Sequence, residues 1–153
     1  MSKTIYPSPI GPLLLEVDEQ GRVTQLAFHA EGNERSPATA EVERQLDEYF
    51  GGKRTTFELD LAPKGTEFQR SVWNALCEIP YGETRNYGQI ARRIGNVNAC
   101  RAVGAANGAN PIAIIVPCHR VIGSNGTLTG FGGGLDVKAK LLELETGTAT
   151  TLF

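Results

Sequence analysis

The spacing of apolar residues changes along the chain, and each change marks an element. Leu13-Leu14-Leu15-Glu16-Val17 and Val23-Thr24-Gln25-Leu26-Ala27-Phe28 flank the turn signal Asp18-Glu19-Gln20-Gly21. The second run alternates with period two, so the pair predicts a β-hairpin, and the first 30 residues as a whole read as strands. Over residues 37–50 the period lengthens. Val42, Leu46, Tyr49 and Phe50 recur at i, i+4, i+7 and i+8, one apolar stripe of a helix that Gly51-Gly52 stops. A short strand is expected at 56–59.

Leu61-Ala62-Pro63-Lys64-Gly65 reads as a junction, dividing the chain into a scaffold over 1–62 and a second unit over 63–153. Thr66 then caps a helix, with Gln69 three residues on as in a capping box. Phe68, Val72, Trp73, Ala75 and Leu76 are its expected buried face, and Pro80-Tyr81-Gly82 is a turn. A second helix is predicted over 87–94, with Ile90, Ala91 and Ile94 inward. After the break Gly95-Asn96-Val97 a third helix is predicted over 98–107. Helix, short glycine turn, helix is the helix-turn-helix pattern, which serves nucleic-acid binding and plain helical cores alike. The third helix carries one long cation, Arg101, among small residues. Small side chains let a backbone approach a groove, whereas a major-groove reader needs several polar side chains. The same residues would also permit tight helix packing.

Composition narrows the setting. The chain has 153 residues, of which 41% are hydrophobic, enough for a core. No apolar run approaches the roughly 18 residues of a membrane span, and Met1-Ser2-Lys3-Thr4 does not begin a signal peptide. Cys77, Cys100 and Cys118 are odd in number and far apart, with no CxxC or Cys/His cluster. A disulfide framework and a zinc site are therefore not expected, and a cytoplasmic location without a membrane partner is. His29 is expected to be a surface or hydrogen-bonded histidine. The net charge of −2 is uneven: residues 1–63 carry −5 and residues 64–153 carry +3. The basic half is where nucleic acid would bind.

The chemistry concentrates at Ile115-Val116-Pro117-Cys118-His119-Arg120-Val121. A thiol is nucleophilic as thiolate, and a neighbouring imidazole and cation favour that form. The triplet therefore reads as an activated cysteine, against the alternative of a buried structural one. Pro117-Cys118-His119-Arg120-Val121, with Asn110-Pro111 upstream and Gly130-Phe131-Gly132-Gly133 downstream, resembles the O6-alkylguanine-DNA alkyltransferases over roughly residues 65–145.

The resemblance implies an α+β fold, with a ribonuclease H-like N-terminal sheet and helix and a C-terminal winged helix-turn-helix-like domain carrying the cysteine. It implies direct-reversal repair of double-stranded DNA: the lesion base is flipped and its alkyl group moves irreversibly to Cys118, once, with no cofactor. O4-alkylthymine is an open alternative to O6-alkylguanine, and a monomer is expected, with self-association along DNA left open. By the same resemblance His119 is the base, acting through a water. Glu145 orients it (Glu143 being the alternative), Tyr87 supplies a proton to O6, and Asn110 links the helix-turn-helix to the active-site segment. Arg101 fills the space of the flipped base, and Tyr87, Ala102, Gly104, Ala105, Asn107 and Arg120 complete the DNA-contacting set. Val121, Phe131, Gly132 and Gly133 form the substrate pocket. Phe131 stands where several relatives have Tyr, and Gly132 where relatives often have a larger or polar residue, which implies a roomier, more apolar pocket. The competing readings are a lesion binder without transfer, a sequence-specific regulator and a cysteine hydrolase.

Overall fold

The computed structural model describes residues 1–126, 131 and 133–147. Strands β1 (Ser2–Ser8), β2 (Gly11–Val17) and β3 (Val23–Ala27) form an antiparallel sheet in sequence order. Their alternation turns Thr4, Tyr6, Leu13, Leu15, Val17, Val23 and Leu26 into the core. Helix α1 (Ala40–Phe50) lies on this face, burying the predicted stripe Val42, Leu46, Tyr49 and Phe50. The Phe50 ring stacks 6.4 Å from that of Tyr6, and the Thr4 and Thr39 hydroxyls meet at 2.7 Å.

The strand expected at 56–59 does not form. Gln45, buried on α1, takes its place as partner: its Oε1 accepts from the Glu58 N–H at 2.9 Å, and its Nε2 donates to the Glu58 carbonyl at 3.2 Å. With those backbone groups satisfied by a side chain, no neighbouring strand is needed. The chain instead pairs slightly later, through a single parallel bridge between Leu61 and Val23.

In the second half, helix α2 (Glu67–Cys77) begins with the predicted capping box of Thr66 and Gln69. It buries Val72, Trp73, Ala75 and Leu76, while Phe68 is only partly covered. A second capping box, Asn86 with Gln89, opens α3 (Tyr87–Arg93). Gly95, at φ +79°, makes the break to α4 (Cys100–Gly108). This is left-handed backbone that glycine adopts without a Cβ penalty. The Trp73 indole donates to the Ala106 carbonyl at 2.8 Å and ties α2 to α4. Two short strands, β4 (Arg85–Asn86) and β5 (Val121–Ile122), pair in parallel, and α5 (Leu135–Thr146) closes the described chain.

What joins the halves is the outer edge of β3. Leu26 donates to the Pro111 carbonyl at 2.9 Å and accepts from the Ala113 N–H at 3.0 Å. The segment leading to Cys118 is thus stitched to the N-terminal sheet, and the buried residues of both halves form one core. Leu26 is almost fully buried at this seam. Truncation by Leu26→Ala is expected to destabilise the protein by about 2–5 kcal/mol. Urea unfolding, followed by tryptophan fluorescence and far-UV circular dichroism, should show one lowered midpoint by both probes. Separate transitions would contradict the shared core.

Candidate active site

The segment after α4 is held open by one side chain. Asn110 Nδ2 donates to the Val116 carbonyl at 2.8 Å, and its Oδ1 accepts from the Ile112 N–H at 3.0 Å. Within this bracket Ile114 has φ +71°, left-handed backbone that a β-branched side chain rarely adopts. The Ile115 N–H returns to the Ala113 carbonyl at 2.8 Å across it. Beyond Pro117, Cys118–Arg120 form one 3-10 turn. All three side chains of that turn are buried, but they face different partners.

Cys118 faces a cleft of about 230 Å³ between β3 and the end of α4, lined also by Phe28, Asn107, Asn110, Pro111 and Phe131. Burial pushes its thiol above the ordinary range, and the Asn110 side chain and the Lys138 ammonium pull part of the way back. The resting group is therefore the thiol. The cation that acts on it is Lys138, not Arg120.

Lys138 was not anticipated. It is fully buried on α5, donates from Nζ to the Val121 carbonyl at 2.6 Å and lies 5.8 Å from the Phe131 ring centroid. Desolvation lowers its pKa, and Cys118 opposes that shift. The signal was present in the spacing: Lys138, Leu141 and Glu145 fall at i, i+3 and i+7, one helix face.

His119 turns the other way. Its Nε2 lies 2.6 Å from Glu145 Oε2. Since a carboxylate only accepts, Nε2 carries the proton and Nδ1 is the basic nitrogen. Nδ1 is buried with no hydrogen-bond partner among the described residues. Glu145 also accepts from Arg120 Nε at 2.6 Å, from the other arm of that guanidinium at 3.1 Å, and from the Tyr49 hydroxyl at 2.6 Å. Burial pushes its carboxyl up, but His119 and Arg120 outweigh this and hold it at about 2. Glu143, the alternative carboxylate, is exposed.

Two expected DNA contacts are corrected here. Arg120 is buried, committed to Glu145 and to the Ile79 carbonyl at 2.8 Å. Asn107 is buried with Val103 and Ala106 on the inner face of α4, and its Nδ2 lies 3.4 Å from the Cys118 carbonyl. Arg101, Ala102 and Ala105 are exposed on the outer face, and Gly104 is half-buried, where an added Cβ would sit 3.8 Å from the Tyr87 ring. Tyr87 begins α3 and is part-buried. Of the expected pocket residues, Phe131 lines the cleft, its ring 5.3 Å from that of Phe28. Gly133 lies under both rings, so that a Cβ there would come within 2.9 Å of Phe28. Val121 is fully buried and is not among the described lining residues; Gly132 lies outside the described residues. His29 is hydrogen-bonded, its Nε2 lying 3.2 Å from the Gly133 carbonyl. Among the described residues, no group of three or more His, Cys, Asp or Glu could hold a metal ion, and no helix is long and apolar enough to cross a membrane.

Comparison with known proteins agrees with this geometry. The family model of the 6-O-methylguanine DNA methyltransferase DNA binding domain matches residues 67–147, and that of the ribonuclease-like domain matches residues 1–63. The chain belongs to the 6-O-methylguanine DNA methyltransferase family. The methylated-DNA–protein-cysteine methyltransferase of Methanosarcina acetivorans is 55% identical over 153 residues, covering 95% of this chain and 98% of the relative. That of Mycobacterium leprae is 51% identical over 160 residues, covering 95% and 94%. The crystal structure of Mycobacterium tuberculosis OGT in complex with DNA superposes with a TM-score of 0.90 at 49% identity, covering 97% of this chain and 95% of that one. In the family's terms the fold is α+β, a ribonuclease-like sheet domain followed by a helical DNA-binding domain.

A carboxylate held at about 2 stabilises the fold at every pH above its unfolded value near 4.5, and that contribution drains as pH falls from about 4.5 towards 2. Glu145→Gln is therefore expected to be less stable than the parent at pH 7, and the gap should narrow through this window. Denaturant midpoints from pH 7 down to 3 would show it. A gap that stays constant with pH would contradict the buried, ionised carboxylate.

Proposed function

We propose that Cys118 is the acceptor through which this chain carries out its family's reaction, DNA repair by transfer of an alkyl group to a protein cysteine. The observation that carries the assignment is the position of the thiol. Cys77 and Cys100 are exposed, whereas Cys118 is buried and lines the cleft, and the residue that follows it, His119, is bonded to Glu145.

The chemistry follows from the two faces of the turn. Glu145 keeps the proton of His119 on Nε2, so Nδ1 can receive the thiol proton, through one bridging water. The sulfur attacks the alkyl carbon of O6-alkylguanine, an S–C bond forms, and the C–O6 bond breaks. The Lys138 ammonium favours the thiolate while it lasts. Negative charge develops on the departing guanine, and a proton donated at O6 lowers the barrier; Tyr87 is the proposed donor. The thioether has no return path, so each molecule acts once.

The substrate is double-stranded DNA, and the base must leave the stack, which costs a few kcal/mol. Arg101, exposed in the first turn of α4, is the proposed side chain that fills the vacated space, with Ala102, Gly104 and Ala105 letting the helix approach. A phosphate contact would instead change affinity without changing flipping.

Intact-protein mass after mixing with duplex containing O6-methylguanine should rise by one methyl group, located on Cys118 by peptide mapping. Cys118→Ala should keep lesion binding and show no increment. Disappearance of the lesion without an increment would mean turnover and overturn the mechanism. Arg101→Ala should slow transfer from duplex by at least about tenfold, since each ~1.4 kcal/mol of uncompensated unstacking cost is a factor of ten. Reaction with the free alkylated base should be nearly unchanged, and equal losses on both substrates would remove the flipping role.

A further inference from the structure

The acid–base pair of the transfer reaction is completed by a residue from the N-terminal half. Tyr49, near the end of α1, donates its hydroxyl to Glu145 Oε2 at 2.6 Å, the same oxygen that His119 Nε2 reaches. The two residues are 96 positions apart, and both side chains are buried. We propose that Tyr49 is a positioning residue for alkyl transfer, setting the orientation and hydrogen-bonding strength of Glu145 and so the proton affinity of His119. This inference rests on the reading of His119 as the base.

Three observations carry it. First, the tyrosine is fixed by its ring, which stands edge-on to Phe50 at 5.2 Å and to Tyr81 at 6.4 Å. The hydroxyl is therefore aimed by packing that does not depend on the hydrogen bond. Second, Glu145 is shared. Its charge is divided among His119 and the Arg120 guanidinium from the 118–120 turn and Tyr49 from α1. Among the described residues Tyr81 also faces it, its own hydroxyl being 3.4 Å from the Leu144 carbonyl. Each donor weakens the carboxylate as an acceptor for the others. Third, burial and the Glu145 charge both push the Tyr49 phenol well above its ordinary range, so it remains a donor throughout the working pH range.

Loss of the hydroxyl has a definite sign. Without Tyr49, Oε2 loses a competing donor and becomes the stronger acceptor for His119 Nε2–H, which favours the protonated ring. The acid limb of the transfer rate should move up by about half to one pH unit, and the rate on that limb should fall by about three- to tenfold, since one unit is a factor of ten. A purely structural tyrosine would lower stability without moving the limb.

The test is single-turnover transfer from duplex containing O6-methylguanine, measured from pH 5 to 9, with the full chain of the parent, Tyr49→Phe, His119→Ala and Glu145→Gln, and of the double variant Tyr49→Phe/Glu145→Gln. The phenylalanine keeps the ring packing, and denaturant unfolding and affinity for undamaged duplex check that fold and binding persist. The expected result is an upward shift for Tyr49→Phe, with unchanged DNA affinity and no added shift in the Glu145→Gln background. A parent-like profile for Tyr49→Phe beside a slow His119→Ala would overturn the role of Tyr49 and leave the base intact. So would lowered stability with an unmoved limb, or a full additional shift in the Glu145→Gln background. A parent-like His119→Ala would overturn the base reading and this inference with it.

Discussion

A single buried carboxylate organises this molecule. Glu145 cannot be ionised inside the protein unless donors surround it, because burying an unpaired charge is prohibitively unfavourable. Its donors come from different parts of the chain: Tyr49 from α1, and His119 and Arg120 from the 3-10 turn. The Arg120 guanidinium continues to the Ile79 carbonyl just beyond α2. Satisfying one charge therefore fixes the approach of α1, α2, α5 and the nucleophile turn. Buried ion pairs are weak contributors to net stability, but breaking one leaves an expensive remnant. Its effect here is to fix which way His119 and Arg120 point, and that direction decides what lies beside Cys118.

That arrangement diverts from Cys118 the cation nearest to it in sequence. Arg120 is adjacent to Cys118 in sequence yet spends its charge on Glu145, while Lys138, twenty positions on, acts on the thiol. Burial keeps the resting cysteine protonated. A buried thiol suits a protein that can use it once, because an exposed thiolate would react with other electrophiles and oxidants. In the proposed mechanism the thiol proton passes to His119 Nδ1, whose lone pair is kept available by the bond on the opposite side of the ring.

Much of this was legible in the chain. The stripe Val42, Leu46, Tyr49 and Phe50, the Thr66–Gln69 capping box and the glycine break at Gly95 each encode structure within a few residues, and each formed as read. The strand at 56–59 misled because its pattern is local while its partner, Gln45, is not. Arg120 and Asn107 were assigned to DNA from a motif, which gives residue identity but not facing. For Asn107 the helical spacing with Val103 and Ala106 already pointed inward. The roles of His119 and Glu145 came from resemblance, since no periodicity relates residues 26 apart.

Tyr49 shows why such contacts escape a sequence reading and how they can still be suspected. Its position in an apolar stripe explains its burial, and burial is all that periodicity can establish. Burial of a tyrosine, however, carries a second requirement: the hydroxyl must find a partner, or the site would favour phenylalanine. Phe50, its neighbour, meets the packing need without one. A buried tyrosine beside a buried phenylalanine thus points to a polar group across the core, and the sequence cannot say which. The answer lies 96 residues away, on the carboxylate that is bonded to His119. Beyond the backbone seam at Leu26, the N-terminal half therefore reaches the DNA-binding half through a side chain, at the carboxylate bonded to His119.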